Sequence, residues 1–307
     1  MNYTLHQLQV FLKITQTKSI TKAAEELHLT QPAVSIQLKN FQDQFEIPLT
    51  EVLGRKLYVT DFGKEIALAA DNIINEVYAI NYKTQAFKGQ LSGRLKLSVV
   101  STGKYVMPYY LSEFMKKNSE VELEMDVTNK SKVIKSLKNN EIDFALVSVL
   151  PTDIAVDSIQ LMDNKLFLVG NTFIEINNDT LISKYISNLP LIYRELGSAT
   201  RTSMETFLDK SNIIPNMKIQ LTSNEAVKQS VIAGLGISIM PLIGLKNELE
   251  NGDIKIIPVK NLPIISTWRL IWLKGKKLSP VAKAYLGFVN LQNEDIKNNH
   301  FSWINNY

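Results

Sequence analysis

A stripe of polar side chains near the N-terminus has the chemistry needed to contact nucleic acid. Its members, spaced as neighbours on one face of a helix, are Gln31, Ser35, Lys39 and Gln42. Amide, hydroxyl and ammonium groups read base edges in the major groove and hold phosphates. The opposite face is apolar and consists of Val34, Leu38, Phe41 and Phe45. We therefore expect one face at the surface and the other in a core.

Two later segments have the chemistry needed to hold an anion. Ser101 and Thr102 follow a predicted strand and open a predicted helix, and the run Gly-Ser-Ala-Thr-Arg at 197–201 repeats this arrangement with a cation added. Free amides and hydroxyls at such places favour negative charge. Ser101 or Ser198 taken singly could equally be only a helix cap. Two such elements in opposite lobes favour a ligand.

Three short helices are predicted to position the polar stripe. The first is marked by the spacing of Leu5, Leu8, Phe11 and Leu12. Ser19 is a suitable N-cap for a second helix at 20–27, and Thr30 caps the third, which has Pro32 in its first turn. A recognition helix enters the major groove from such a helix-turn-helix. An ordinary helical hairpin has the same spacing, so spacing alone does not separate the two.

Residue identities favour the DNA-binding interpretation. The run from Ser19 to Lys39, SITKAAEELHLTQPAVSIQLK, closely resembles the LysR-type transcriptional regulators, and residues 47–49 and 54–63 resemble the wing of that family. The resemblance implies a winged helix-turn-helix that binds double-stranded DNA. The residues it places at or near DNA are Ser19, Lys22, Thr30, Gln31, Pro32, Ser35, Ile36, Lys39, Arg55 and Lys56.

Two departures from the family pattern bear on DNA affinity. Ile36 stands where many members have Arg, and Thr50-Glu51-Val52 replaces the more usual Phe-Glu-Arg before the wing turn. Residues 1 to 60 hold six basic and five acidic side chains, so their net charge is 6 − 5 = +1. Charge alone does not indicate a DNA-binding protein here; the pattern does.

A long apolar helix face is predicted between Gly63 and Lys88. It consists of Ile66, Ala69, Ala70, Ile73, Ile74, Val77, Tyr78 and Ile80. We expect no partner for this face within the small domain, and the resemblance implies a linker helix that pairs with a second subunit. A two-fold dimer also brings recognition helices to half-sites about 34–36 Å apart. The alternative, a helix packed on its own chain, is disfavoured by the flexible run at 89–93.

Strands and helices alternate after residue 93, which predicts two doubly wound α/β lobes. The fold class is α/β with an N-terminal all-α winged helix-turn-helix, and the resemblance implies a periplasmic-binding-protein-like effector region. The predicted parts are a DNA-binding domain at 1–60, a linker helix at 61–88, a hinge at 89–93 and an effector domain at 94–307. Lobe I is expected at about 94–163 and 266–293, and lobe II at about 164–265.

A crevice between two such lobes is where ligands bind, beyond the carboxyl ends of the strands. The candidate effector-binding residues are Ser101, Thr102, Lys104, Ser148, Ser198, Thr200 and Arg201. Segments 100–105 and 194–201 are most similar to the branch that includes regulators of carbon-fixation and sulfur-assimilation operons. This similarity implies a phosphorylated metabolite or a sulfur oxyanion. Leu196 and Ala199 replace the more usual Pro and Gly, which leaves the effector's identity open.

Composition argues against several other classes of protein. The chain has no cysteine, which excludes disulfides, thiolate metal sites and a cysteine nucleophile. Its three histidines, His6, His28 and His300, lie in the N-terminal module and the tail, so neither a catalytic triad nor a metal set can be assembled. A solute receptor would account for two lobes but not for residues 1 to 60 or the lack of a secretory signal.

The sequence therefore predicts a cytoplasmic regulator and not an enzyme. No metal and no cofactor are expected apart from a small-molecule effector. The expected partners are double-stranded DNA and a second copy of the chain, as a homodimer or homotetramer, with RNA polymerase as a further candidate and no membrane. The tail at 293–307 has no assigned role.

Overall fold

A computed structural model describes residues 3–54, 56–86, 90–174 and 186–307. These residues form two compact units, Met1–Gly93 and Arg94–Tyr307. No described helix is both long enough and apolar enough to cross a lipid bilayer.

The first unit consists of three short helices, a two-stranded hairpin and a long helix. Its elements are α1 (Leu5–Thr17), α2 (Ile20–Glu26), α3 (Gln31–Gln42), β1 (Thr50–Leu53), β2 (Lys56–Val59) and α4 (Asp61–Ala86). The Ser19 hydroxyl accepts from the backbone N–H of Lys22, and the Thr30 hydroxyl accepts from that of Ala33. Both predicted N-caps are therefore confirmed.

Aromatic rings fill the core of this unit. Phe11 and Phe41 are fully buried with ring centroids 5.1 Å apart, and Phe45 packs edge-on against Phe41. Val34 and Leu38 are buried in the same cluster. The apolar face predicted for α3 is confirmed, and it turns the polar face of that helix outward.

The first half of α4 packs on this core as well. Ala70 and Ile74 are buried in the same cluster, and α4 lies along α1. The expectation that this helix has no partner in its own small domain is therefore wrong for this half. Ile73 and Ile80 remain 41% and 61% exposed. The side chain of Tyr78, and residues 87–89 of the predicted linker and hinge, lie outside the described residues.

The wing is joined to α4 by a tight contact. Thr60 Oγ1 accepts from the Gly63 backbone N–H at 2.9 Å and donates to the Pro48 carbonyl at 2.7 Å. A Cβ on Gly63 would lie 2.0 Å from the Leu49 carbonyl oxygen. Only glycine fits here, because the obstacle is backbone and cannot move aside.

The second unit is built on a mixed sheet. Its elements in chain order are β3 (Gly93–Val100), α5 (Met107–Lys117), β4 (Val121–Thr128), α6 (Lys130–Lys138), β5 (Phe144–Val147), β6 (Val156–Asn171), β7 (Leu191–Arg194), α7 (Ala199–Lys210), β8 (Lys218–Leu221), α8 (Asn224–Ile232), β9 (Ser238–Pro241), α9 (Lys246–Asn251), β10 (Ile254–Ile256), β11 (Ile264–Leu273) and α10 (Pro280–Phe301). The order in the main sheet is β10-β6-β11-β5-β3-β4, with β9 also paired to β6.

Two lobes share the long strands β6 and β11. These strands are antiparallel from Ile264↔Leu166 to Leu273↔Val156. In lobe I, β3 and β5 are parallel, and the second half of β11 pairs with β5. In lobe II, β9 and β10 pair with β6, while β7 and β8 form a parallel pair. The last strand, β11, thus pairs with β5 of lobe I, and the antiparallel pairs make the sheet mixed.

The C-terminal helix α10 runs through most of the tail at 293–307, for which the sequence indicates no role. Ile296, Phe301 and Ile304 of this tail are buried. His300 packs against Tyr109 with ring centroids 4.8 Å apart, and Lys165 Nζ donates to the Ile304 carbonyl at 3.2 Å. The end of the chain thereby packs against both α5 and β6.

Candidate nucleic-acid interface and ligand cleft

The outer face of α3 carries most of the predicted DNA-contacting residues. This recognition face consists of Thr30, Gln31, Pro32, Ser35, Ile36 and Lys39. All are exposed except Ser35, which is half-buried, and Ile36 is 57% exposed. The first turn of α3 is therefore open to a partner.

Gln42, the last member of the predicted polar stripe, has a structural role. Its Oε1 accepts from the Thr50 backbone N–H at 3.1 Å and from the Thr50 hydroxyl at 2.8 Å. These bonds anchor β1 to the end of α3. The prediction that Gln42 belongs to the exposed stripe is corrected accordingly.

The hairpin β1–β2 forms the wing. Gly54 has φ +64 at its turn, a conformation that favours glycine. Lys56 is exposed beside it, and Arg55 lies outside the described residues. At the start of α2, Ser19 is half-buried as a cap and Lys22 is exposed.

Three of the predicted DNA-contacting residues are lysines that are available to phosphates. Lys22, Lys39 and Lys56 form no ion pair with any residue in the described part of the chain. By contrast, Lys13 pairs with Glu26 at 2.9 Å and Lys64 pairs with Asp61 at 2.7 Å. The recognition face and the wing thus present ammonium groups that have not been neutralised.

A cleft of about 420 Å³ opens in the second unit between the two lobes. Four segments that follow β3, β4, β7 and β8 converge on it. Its lining residues are Ser101, Lys104, Val127, Thr128, Asn129, Lys132, Arg194, Glu195, Thr222, Ser223 and Asn224. Three are cations and one is a carboxylate, so the formal charge of the lining is 3 − 1 = +2.

Two helices begin at this cleft. Asn129 caps α6 by accepting from the Lys132 backbone N–H at 3.1 Å, and Ser223 caps α8 by accepting from that of Ala226 at 3.0 Å. The positive ends of both helix dipoles therefore face the same cleft. They add to the attraction that the cations exert on an anion.

Arg194, at the end of β7, is the buried cation of the cleft. Its side chain is 4% exposed. Nε and Nη2 donate to the two carboxylate oxygens of Glu195 at 2.8 and 2.9 Å, and Nη2 also donates to Ser101 Oγ at 3.0 Å. Asn224 Nδ2 donates to the same hydroxyl at 3.0 Å. Ser101 of lobe I is thus held by two donors from lobe II.

A second cluster joins the lobes beside the cleft. Tyr105 Oη donates to Glu225 at 3.4 Å, and Lys228 pairs with Glu225 at 3.3 Å and with Glu248 at 2.6 Å. Burial raises the pKa of Tyr105, so its hydroxyl remains a donor. Burial also disfavours the charged form of Lys228, but its hydrogen bond to Glu248 and the nearby negative charges outweigh this and raise the pKa of Lys228.

Two of the predicted effector-binding residues, Ser101 and Lys104, line the cleft. Thr102 is buried, at 6% exposure, and is not part of the lining. Ser148 is half-buried and is not part of the lining. The first predicted anion segment is therefore placed at the cleft chiefly through Ser101.

The second predicted segment lies beside the cleft and not on it. Ser198 is buried and caps α7, and Thr200 is half-buried without lining the cleft. Arg201 Nε donates to Glu205 at 2.8 Å, and its Nη1 donates to Gln220 at 2.6 Å and to the Arg194 carbonyl at 3.1 Å. The guanidinium of Arg201 is thus used within lobe II.

Sequence reasoning missed the other polar residues that line the cleft, which are Thr128, Asn129, Lys132, Arg194, Glu195, Thr222, Ser223 and Asn224. Asn129 and Asn224 lie where a strand gives way to a helix, β4 to α6 and β8 to α8, and this position is a signal for a ligand site. Arg194 ends β7, but the cation in the neighbouring helix start led the prediction to Arg201 instead.

A larger groove, of about 1180 Å³, lies between α6 and α7. Ser131 N donates to the Gly197 carbonyl at 3.4 Å where these parts of the two lobes meet. Within the described ranges no group of histidine and acidic side chains is arranged to hold a metal ion.

Comparison with known proteins agrees with this architecture. Residues 5–64 match the model of the bacterial regulatory helix-turn-helix proteins of the LysR family, and residues 88–292 match that of the LysR substrate-binding domain. The transcriptional activator CmpR of Synechocystis is 34% identical over 296 residues, which is 96% of this chain and 97% of that protein. The RuBisCO operon transcriptional regulator of Allochromatium vinosum is 34% identical over 290 residues, 94% of this chain and 96% of that protein.

A solved structure matches the second unit. The regulatory domain of Synechocystis CcmR, in complex with 2-PG, superposes with a TM-score of 0.62 at 29% identity, covering 66% of this chain and 99% of that one. The predicted similarity to regulators of carbon fixation is confirmed by these relatives. With both family models matched in order along the chain, this protein belongs to the LysR family of transcriptional regulators.

Proposed function

We propose that this regulator binds operator DNA through the recognition face and the wing, as a homodimer or homotetramer, and responds to a small anionic metabolite bound in the cleft. The single observation that carries the effector class is the charge of the cleft. Lys104, Lys132 and Arg194 face one carboxylate, and two helix N-termini point the same way. Such a site favours a ligand with more than one negative charge.

The relatives support the same class of effector. The regulatory domain of CcmR was solved with 2-PG, and a relative regulates a RuBisCO operon. We infer that the effector belongs to carbon metabolism and carries a phosphate or carboxylate group. Ser101, Lys104, Asn129 and Arg194 are the residues proposed to hold it.

The DNA-binding part of the proposal has its own support. Ser19, Lys22, Lys39, Lys56 and, from the family resemblance, Arg55 are proposed to contact the DNA backbone. The exposed Ile73 and Ile80 on α4 are proposed to pair with a second copy, because residues seven apart lie on one face of a helix, where a second helix would bury both. We place this action in the cytoplasm, with RNA polymerase as a candidate partner and no catalytic role.

Titration calorimetry on the full-length protein tests the effector site. Inorganic phosphate, sulfate and 2-PG are the probes, with the uncharged sugar glucose as the negative control. Lys104→Ala should weaken binding about tenfold, since a bond to a charged group is worth about 1.5 kcal/mol or more. Lys116→Ala, an exposed lysine on α5 outside the cleft, should leave the affinity unchanged.

Footprinting on the DNA upstream of the gene for this protein tests the link to transcription. The footprint should change in length or spacing when a bound probe anion is added. Binding of anions without any DNA footprint would favour a solute receptor over a regulator. A footprint that ignores every probe anion, together with no calorimetric signal, would contradict the proposed effector class.

A further inference from the structure

The Arg194 guanidinium already forms a two-point ion pair with a carboxylate of the same chain. Nε and Nη2 each donate to a different oxygen of Glu195, at 2.8 and 2.9 Å. A guanidinium makes the same two-point contact with phosphate and carboxylate ligands. The Glu195 carboxylate therefore occupies a position that suits the charged group of a ligand.

The two members of this pair differ in how firmly they are held. Arg194 lies within β7, in register with Leu221 of β8, and its carbonyl accepts from Arg201. Its side chain is 4% exposed, whereas that of Glu195 is 17% exposed. The arginine is thus built into the sheet, and the glutamate lies beyond the end of the strand.

The loop after Glu195 leaves room for that side chain to turn away. Leu196 is 74% exposed, and Gly197 is exposed with φ +86. A rotation of the Glu195 side chain toward solvent gives up its bonds to Arg194. A rotation of Arg194 gives up the same bonds and its bond to Ser101 as well.

The buried charge of Arg194 explains why a carboxylate is paired with it. A buried guanidinium is costly unless an anion is paired with it. Glu195 supplies that anion when the cleft holds no ligand, while Lys104 and Lys132 form no direct ion pair with any described residue. A ligand with two negative charges neutralises more of the cleft than Glu195 does. A ligand with one only replaces one carboxylate by another.

We propose that Glu195 is an internal counter-ion that holds Arg194 in the effector-free protein and is displaced by the anionic effector. This inference rests on the proposed anion site and adds its selectivity. Competition with Glu195 raises the concentration at which the effector binds, and it favours doubly charged ligands over singly charged ones. Glu195 thereby sets the threshold of the response.

Calorimetry on the full-length chain compares Glu195→Gln with the wild type. The titrants are inorganic phosphate, at a mildly alkaline pH where it is doubly charged, and acetate as a singly charged anion. Glu195→Gln should bind phosphate about tenfold more tightly and gain as much or more for acetate, because the competing charge is gone. The matched control is Glu205→Gln, which breaks the other arginine–carboxylate pair nearby. It should leave both affinities within about twofold of the wild type.

A second variant guards against loss of stability in Glu195→Gln. Glu195→Asp keeps the charge but shortens the side chain, so it should bind phosphate with an affinity between those of the wild type and Glu195→Gln. Phosphate should also raise the thermal midpoint of Glu195→Gln by more than it raises that of the wild type.

The outcomes separate the two proposals. Phosphate binding to the wild type that is unchanged or weaker in both Glu195 variants overturns the counter-ion and leaves the anion site standing. No binding of phosphate, sulfate or 2-PG to the wild type or to either variant overturns both. Tighter phosphate binding in both Glu195→Gln and Glu205→Gln would indicate a general effect of net charge. That result would also overturn the counter-ion proposal.

Discussion

The recognition face and the cleft are both polar, but their side chains are held in opposite ways. On the recognition face, Gln31 and Lys39 are exposed, and their side chains form no hydrogen bond or ion pair with any other residue of the described chain. In the cleft, Arg194 and Asn224 are bonded to Ser101, and Arg194 is also paired with Glu195. The recognition face is therefore open to a partner, whereas the polar groups of the cleft are already bonded to one another.

This difference determines which bonds contribute to the binding free energy at each surface. A partner of the recognition face displaces only water and ions, so its affinity follows from charge and salt. A ligand of the cleft must replace internal partners, so its affinity is the difference between two sets of bonds. A ligand that binds by replacing bonds between lobes also changes how the lobes are held, which is what a response requires.

The largest effect is expected from Arg194→Ala. Removing this buried cation should weaken binding of 2-PG or phosphate by about 2–4 kcal/mol, which is roughly 30- to 700-fold. Arg201→Ala should change the affinity by less than about threefold, because that guanidinium is engaged by Glu205 and Gln220. Calorimetry on both variants checks this.

An equal loss of anion affinity in Arg194→Ala and Arg201→Ala would show that Arg201 also belongs to the binding site. DNA binding without effector should be unchanged in both variants, as measured by gel shift. A loss of DNA binding in both variants would mean that the recognition face depends on the cleft even without effector.

The next largest effect concerns α4. Ile73→Asp should dissociate the oligomer, because burying an isoleucine is worth on the order of 2 kcal/mol and a buried carboxylate costs more. Ile74→Asp, one residue on, should instead unfold the first unit, since Ile74 is 7% exposed in its core. Sedimentation at micromolar concentration and urea unfolding distinguish the two. A wild-type monomer, or an intact oligomer in Ile73→Asp, would refute the pairing.

A smaller effect is expected on the open surface itself. Lys39→Ala and Lys56→Ala should each lower the slope of log affinity against log salt by about 1, since each removes one phosphate contact. Lys13→Ala is the matched control, because Lys13 is paired with Glu26. Unchanged slopes in both test variants would remove these lysines from the interface.

The smallest effect is a gain. Ile36→Arg should tighten DNA binding by about 1 kcal/mol through one added contact to a base or phosphate. Ile36→Leu keeps the side chain apolar and should change neither the affinity nor the salt slope. An Ile36→Arg protein that binds no more tightly would show that this exposed position does not reach the DNA.

Local features were readable from the sequence. Ser19 and Thr30 were predicted as caps because the hydroxyl, the apolar spacing and the following helix lie within a few residues of each other. The apolar face of α3 and the alternation of strands and helices follow from periodicity in the same way.

Contacts between distant segments were not readable. Whether Arg194 or Arg201 faces the cleft depends on the direction of one strand and one helix. Glu205 lies four residues after Arg201, and this spacing does favour an ion pair between them within the helix. The role of Gln42 depends on Thr50 in the wing, and the burial of Ile74 depends on where α1 lies. None of these follows from spacing within one element.

The seat of Gly63 against the Leu49 carbonyl has a mechanical consequence. Gly63 leaves no room for a side chain, and Thr60 is bonded both to Pro48 and to Gly63. We therefore expect the wing and the start of α4 to move together. A rotation of α4 at its first turn would then change how the wing meets the DNA.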